Sequence, residues 1–268
     1  MSDHVLGAVR ENLAGRDAVS GWCLDKVTVG DRAVLVELAD RSEPRARTAG
    51  IAHRPRGTGA DVTADTVAGL LEPIDALDRS ATEDRLPLAA AVGTLNALSA
   101  PVLAWDPGDP MALLPPSVRR ITTVGLFEPA LRKFADVEVR VIEREPRTVD
   151  PPDGVSIRMF SPEQAEQAMG GAEIVFVTGS TLLYGGLDRY LDLAPTGATV
   201  VLVGATVSFV PDPLFDAGVD VVAGASVSDP TRARNAVVDG ACGTELHNSG
   251  VEKTYTTTGE AGGGFRGS

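Results

Sequence analysis

Only two cysteines, Cys23 and Cys242, stand in 268 residues, and they lie in different halves of the chain. No disulfide framework and no paired-cysteine metal motif can be built from them, which fits a reducing cytosol. Lysine is nearly as scarce, with Lys26, Lys133 and Lys253 alone, so arginine carries almost all the positive charge. Aromatic residues make up 4%. The core must therefore be aliphatic, with glycine and alanine allowing close packing of helices on sheets. The longest apolar stretch, around Ala198 to Val210, is interrupted by Gly204 and Thr206 and is too short to span a bilayer. The opening Met1-Ser-Asp-His-Val5 lacks the basic-then-apolar pattern of a secretion signal. The expectation is a soluble, cytoplasmic protein.

The formal charge of -13 argues against nucleic acid and anionic lipid as partners, because an acidic surface repels both. An acid-rich, lysine-poor composition also suits a salty, halophilic cytosol, where salt screens self-repulsion. The length suits one large domain or two smaller ones.

The first hundred residues place strands before helices. Val5, Leu6, Val9 and Leu13 suggest an opening helix. Val27 to Leu38 reads as two strands around a Gly30-Asp31 turn, and Thr48 to His53 as a third. Helical stretches follow near Thr63–Leu71 and Arg85–Leu98, the latter so rich in alanine that its backbone should lie against another element. This is an α+β domain, 1–105. Prolines between Pro101 and Pro116 mark a linker. From 106 to 258 the pattern alternates: strands at Ile121–Phe127, Glu138–Glu143, Glu173–Val177, Thr199–Val203 and Asp220–Val227, with helices between. Five such strands predict an α/β, doubly wound parallel sheet. The tail 259–268 is too glycine-rich to pack and is expected to be disordered.

In an open parallel sheet, ligands bind outside the carboxyl ends of the strands. Three tips there end in small or polar residues: Gly125-Leu-Phe127, Thr178-Gly-Ser-Thr181 and Gly204-Ala-Thr206. The dinucleotide motif GxGxxG is absent, so a pyrophosphate is not indicated. Glu143 follows Gly125 at the distance where nucleotide-binding sheets place an acid for ribose hydroxyls; the bland alternative is a solvated charged loop. Thr178 to Thr181 lacks the GxSxG setting of a nucleophile and reads as a hydroxyl and N–H cradle for a carboxylate or phosphate, or as a helix cap. Cys242, Glu245 and His247 could approach one another, with His53 joining from the first domain, but their spacing matches no established metal motif. Asn96, a lone amide in an alanine-rich helix, should reach the cleft between domains or brace the linker.

Several segments recur in order: Lys26–Gly30 with Ala33-Val34, Ala49–Ala52, Ala90–Ala97, Val124–Phe127, Val141–Pro146, Val177–Leu182, Val203–Thr206 and Leu214–Gly224. Together they resemble the bacterial and archaeal heavy-metal chelation domain family. That resemblance implies an enolase-amino-terminal-like domain followed by a Rossmann-like domain, with a pocket between them. It carries Asn96, Gly125, Glu143, Thr178, Gly179, Ser180, Thr181 and Gly204 into that pocket, and Phe127, Ala205 and Thr206 adjoin them. The chain departs from the family pattern at Glu128-Pro129, Tyr184-Gly-Gly186 and Gly204-Ala-Thr206.

Two functions follow as expectations. One is binding of a small anionic or metal-chelating metabolite in the interdomain cleft, a step in handling heavy-metal chelates. The other is an enzyme using an adenosine-containing cofactor such as S-adenosylmethionine, with Glu143 on the ribose; phosphate-free adenosine ligands should then bind in preference to NAD or NADP. A metal ion is a possible cofactor, and a homo-oligomer a possible assembly. A purely structural module fits less well, because the polar tips converge on one edge.

Overall fold

The computed structural model describes residues 2–57, 61–76, 84–115, 117–145 and 147–258; the tail 259–268, expected to be disordered, lies outside them. The opening helix, Ser2–Gly15, buries Val5, Leu6, Val9 and Leu13 along one stripe. An antiparallel sheet follows, ordered β1 (Trp22–Val29), β2 (Ala33–Asp40), β3 (Arg47–His53). Its central strand, β2, is buried almost end to end. At the first hairpin Gly30 N donates to Ala33 O at 2.9 Å.

The helix expected from Thr63 begins later, at Val67, because the Thr66 side chain caps it by accepting from Gly69 N. Helix Arg85–Ser99 is buried from Leu88 onward and lies across β2 and β3. A Cβ on Gly50 of β3 would stand 2.1 Å from Gly93 O and 2.3 Å from Ala97 N of that helix. The two backbones touch, and this is why the helix is made of alanine and glycine.

The second half forms an eight-stranded sheet. Its members are β4 (Asp106–Pro107), β5 (Arg120–Val124), β6 (Val137–Ile142), β7 (Val155–Phe160), β8 (Ile174–Thr178), β9 (Thr199–Val203), β10 (Val221–Val227) and β11 (Val251–Thr257). The order is β4-β11-β10-β9-β8-β5-β6-β7. From β7 across to β10 neighbouring strands are parallel, while β11 and β4 are antiparallel additions.

Five strands was therefore too few. β7 is an edge strand alternating buried and exposed residues, and β11 is mostly polar, so neither reads as an apolar run. β4 comes from the proline-rich stretch expected to be linker alone. The chain starts at β5, moves outward through β6 and β7, then returns to β8 on the other side of β5. Strand order thus reverses between β5 and β8, opening a crevice at their carboxyl ends.

The molecule is a mixed α/β structure with a large, mostly parallel sheet and a separate small antiparallel sheet. The halves share one apolar core, running from Val5, Val36 and Leu95 to Val177, Leu202 and Phe209. They are also joined by a buried ion pair: Arg234 donates through Nε (2.7 Å) and Nη2 (2.5 Å) to the carboxylate of Glu37 on β2. Among the described residues no helix is long and apolar enough to cross a membrane.

Candidate functional site

At the carboxyl edge of the large sheet, three tips come together against the end of β3. Gly125, after β5, has φ +91, and a Cβ there would lie 3.2 Å from Thr178 Cγ2. Only glycine suits both the backbone conformation and that neighbour. Gly204, after β9, has φ +130, and Gly179 N donates to Val203 O at 2.8 Å. Within the second tip, Thr181 Oγ1 donates to Thr178 O at 2.7 Å, and the Thr178 and Ser180 hydroxyls lie 3.1 Å apart. The hydroxyls are thus tied to their own turn before any ligand arrives, and the helix they enter, Thr181–Tyr184, is a single turn.

A cavity of about 310 Å³ opens in front of these tips. One wall is Phe127, Thr178, Gly179, Ser180 and Val203 to Thr206, from the large sheet. The facing wall is Arg32, Ala33 and Ile51 to His53, from the small sheet. Cys242, Gly243, Leu246, His247 and Val251 close the third side. Arg32 Nη1 donates to Cys242 Sγ at 2.9 Å, which holds the guanidinium at the cavity rim. Cys242 N in turn donates to Glu245 Oε2 at 3.2 Å.

Two of the histidines face this cavity. Burial first, and then the charges of Arg56 and Arg144, push the His53 pKa below the ordinary imidazole value. Burial, with Lys253 second, does the same to His247, whose Nδ1 is buried without a hydrogen-bond partner among the described residues. Neutral imidazoles are therefore the favoured forms near pH 7.

The expected site residues divide. Phe127, Thr178, Gly179, Ser180, Gly204, Ala205 and Thr206 line the cavity, whereas Asn96, Gly125, Glu143 and Thr181 do not. Glu143 lies on the same edge as Ser180, but its carboxylate accepts from Leu126 N (3.2 Å) and Arg144 N (3.0 Å). Asn96 is buried, and its Nδ2 lies within hydrogen-bond distance of Ile51 O (2.8 Å), Ala205 O (3.1 Å) and Thr206 O (3.3 Å). His53 N donates to Thr206 Oγ1 at 3.1 Å. Asn96 and Thr206 thus clamp the third tip to the small sheet.

Sequence reasoning missed Arg32, although a charged residue beside the Gly30-Asp31 hairpin turn was a usable signal. It also missed the surroundings of Tyr184, because nothing local links that residue to Arg56 and Arg144.

Heavy metal can be tested against the donor set. Among the described residues no three His, Cys, Asp or Glu side chains come together to hold a cation. Cys242 faces a guanidinium, a poor neighbour for a positive ion. The residues present do not fit a bare metal ion. A larger groove of about 620 Å³ lies elsewhere, between helices Ser2–Gly15, Leu187–Leu193 and Asp212–Asp216. Glu11, Asp188, Asp192, Asp212 and Asp216 line it, so it repels anions, and no strand tip reaches it.

A protein of unknown function from the DUF364 family of Pyrococcus horikoshii superposes on this chain with a TM-score of 0.76 at 18% identity, covering 95% of this chain and 100% of that one. A DUF364 protein of unknown function from Desulfitobacterium hafniense gives a TM-score of 0.67 at 14% identity, covering 94% and 100%. At these identities the likeness concerns the fold. No curated protein matches the chain. The family model described as "Putative heavy-metal chelation" matches residues 112–256, more than half of the chain, and the protein therefore belongs to the DUF364 family.

Proposed function

We propose that the chain binds a small anionic metabolite, of the class that chelates metal ions, in the cavity between the strand tips and the small sheet. One observation carries this reading. Arg32, held by Cys242 at 2.9 Å, lines one cavity of about 310 Å³ together with the hydroxyl-bearing tip Thr178–Ser180. A guanidinium and hydroxyls lining one cavity suit a carboxylate or phosphate. A metal would enter such a site already held by its chelator, since the side chains do not supply a cation site of their own.

In this reading the large sheet is Rossmann-like and the small one enolase-amino-terminal-like. The reversal of strand order between β5 and β8 supports the first description. The cavity's volume lies at the lower end of the roughly 300–1,000 Å³ usual for small-molecule pockets, which favours a compact metabolite over a dinucleotide. The adenosine reading rested on Glu143, whose oxygens are already engaged by Leu126 N and Arg144 N.

Thermal unfolding of the full chain against a panel of carboxylates, phosphates and bare divalent metals tests the proposal. A bound anion at about 100 times its Kd adds about 2.7 kcal/mol, a rise of roughly 5–10 °C. Arg32→Gln should abolish the rise and Cys242→Ser should weaken it. Stabilisation by bare zinc or copper but by no anion would refute the reading.

A further inference from the structure

We infer that the ligand carries at least two negative groups, and that Arg144, stacked on Tyr184, and Arg56, whose backbone N donates to the Tyr184 hydroxyl, hold the group that Arg32 does not. This rests on the reading of the cavity as an anion site and names its ligand class.

Tyr184 ends the single-turn helix Thr181–Tyr184, which begins directly after Ser180 at the cavity wall. Its ring packs 6.2 Å, centroid to centroid, from the imidazole of His53, another wall residue. Its hydroxyl accepts from Arg56 N at 3.0 Å. The guanidinium of Arg144 lies over the ring, 4.0 Å from its centre, and that of Arg85 lies 5.1 Å away. Stacking uses the face of a guanidinium and leaves its N–H edge for acceptors in its plane, the geometry that suits carboxylate and phosphate oxygens. Arg56 and Arg144 both depress the proton affinity of His53, so their positive potential reaches the cavity itself.

The nearby acids do not cancel this. Glu143 accepts from two backbone N–H groups. Glu145 meets Arg56 at 3.6 Å, with both side chains more than 70% exposed, a contact a ligand oxygen can replace. Arg32 stands on the same wall as His53, against Cys242. In a chain of net charge -13, Arg32 in the cavity lining and Arg56 and Arg144 beside its wall residue His53 are a local reversal of the surface, and such a gathering of positive charge selects for a ligand with more than one negative group.

Calorimetry on the full chain, at one fixed ionic strength, tests this with acetate, citrate and pyrophosphate. The expected result is that citrate or pyrophosphate binds at least tenfold more tightly than acetate, and which of the two is tighter distinguishes a carboxylate from a phosphate ligand. Arg144→Gln and Arg56→Gln should each lower polyanion affinity at least tenfold and leave acetate unchanged. Arg16→Gln, which removes the same charge beside the acidic groove, should change neither; circular dichroism of each variant checks that it folds. Equal affinity for acetate and the polyanions, or an Arg16→Gln loss as large as the Arg144→Gln loss, would overturn the inference while leaving the anion site standing. Binding of no anion at all would remove both.

Discussion

Replacing Arg234 with leucine should cost more stability than any surface substitution, and the size follows from what it strands. Glu37 is fully buried in the middle of β2, and both its oxygens receive N–H groups from Arg234 at 2.7 and 2.5 Å. Without the guanidinium, a carboxylate is left in an apolar sheet with no countercharge, a situation that typically costs about 3–5 kcal/mol. At roughly 2–4 °C per kcal/mol for a chain of this size, the midpoint should fall by about 6–20 °C.

Scanning calorimetry of Arg234→Leu, Glu37→Leu and the double variant reads this directly. The double variant should recover most of the loss, because it leaves no orphaned charge. A double variant no better than the sum of the singles would refute the argument.

Gly50→Ala should destabilise by several kcal/mol or prevent folding, because its Cβ would sit 2.1 Å from Gly93 O, and overpacking that can relax only by backbone movement costs at least about 1–3 kcal/mol. Gly93→Ala, whose nearest neighbours would be Val36 Cγ2 at 3.1 Å and Gly50 O at 3.6 Å, should cost less, and urea unfolding of the two variants checks the order. At Asn96, substitution by leucine should cost about 1–3 kcal/mol through lost donors to Ile51, Ala205 and Thr206 carbonyls. Asn96→Asp should cost more, because a carboxylate would then face those same oxygens; equal melting points for the two variants would contradict this. His53 has a folded pKa below its unfolded value near 6.5, so its contribution is fully present above about pH 6.5 and is lost as pH falls through the folded value. The drop in melting temperature between pH 7.5 and 5.0 should therefore be smaller in His53→Gln than in the parent chain, and an identical drop would remove the role given to burial, Arg56 and Arg144.

The sequence by itself determined the elements whose signals are local. Asp229 before Pro230 caps its helix by accepting from Arg232 N, as Ser161 before Pro162 begins a capped turn, and both are legible from neighbouring residues. Short apolar runs broken by glycine and threonine marked β5, β8 and β9, and with them the cavity wall from Phe127 through Ser180 to Thr206. Strands that only half bury themselves were not legible: β7 and β11 are stabilised by lying beside β6 and β10, a gain that no window along the chain contains.

The facing wall was decided by tertiary structure alone. Arg32 meets Cys242 across 210 positions of chain, and Arg56 N meets the Tyr184 hydroxyl across 128. The physical reason is range. Caps, turns and apolar periodicity act within a few residues, whereas the charge and hydrogen-bond partners that shape the cavity become neighbours only after the small sheet has packed onto the large one, through Asn96 and the Glu37–Arg234 pair.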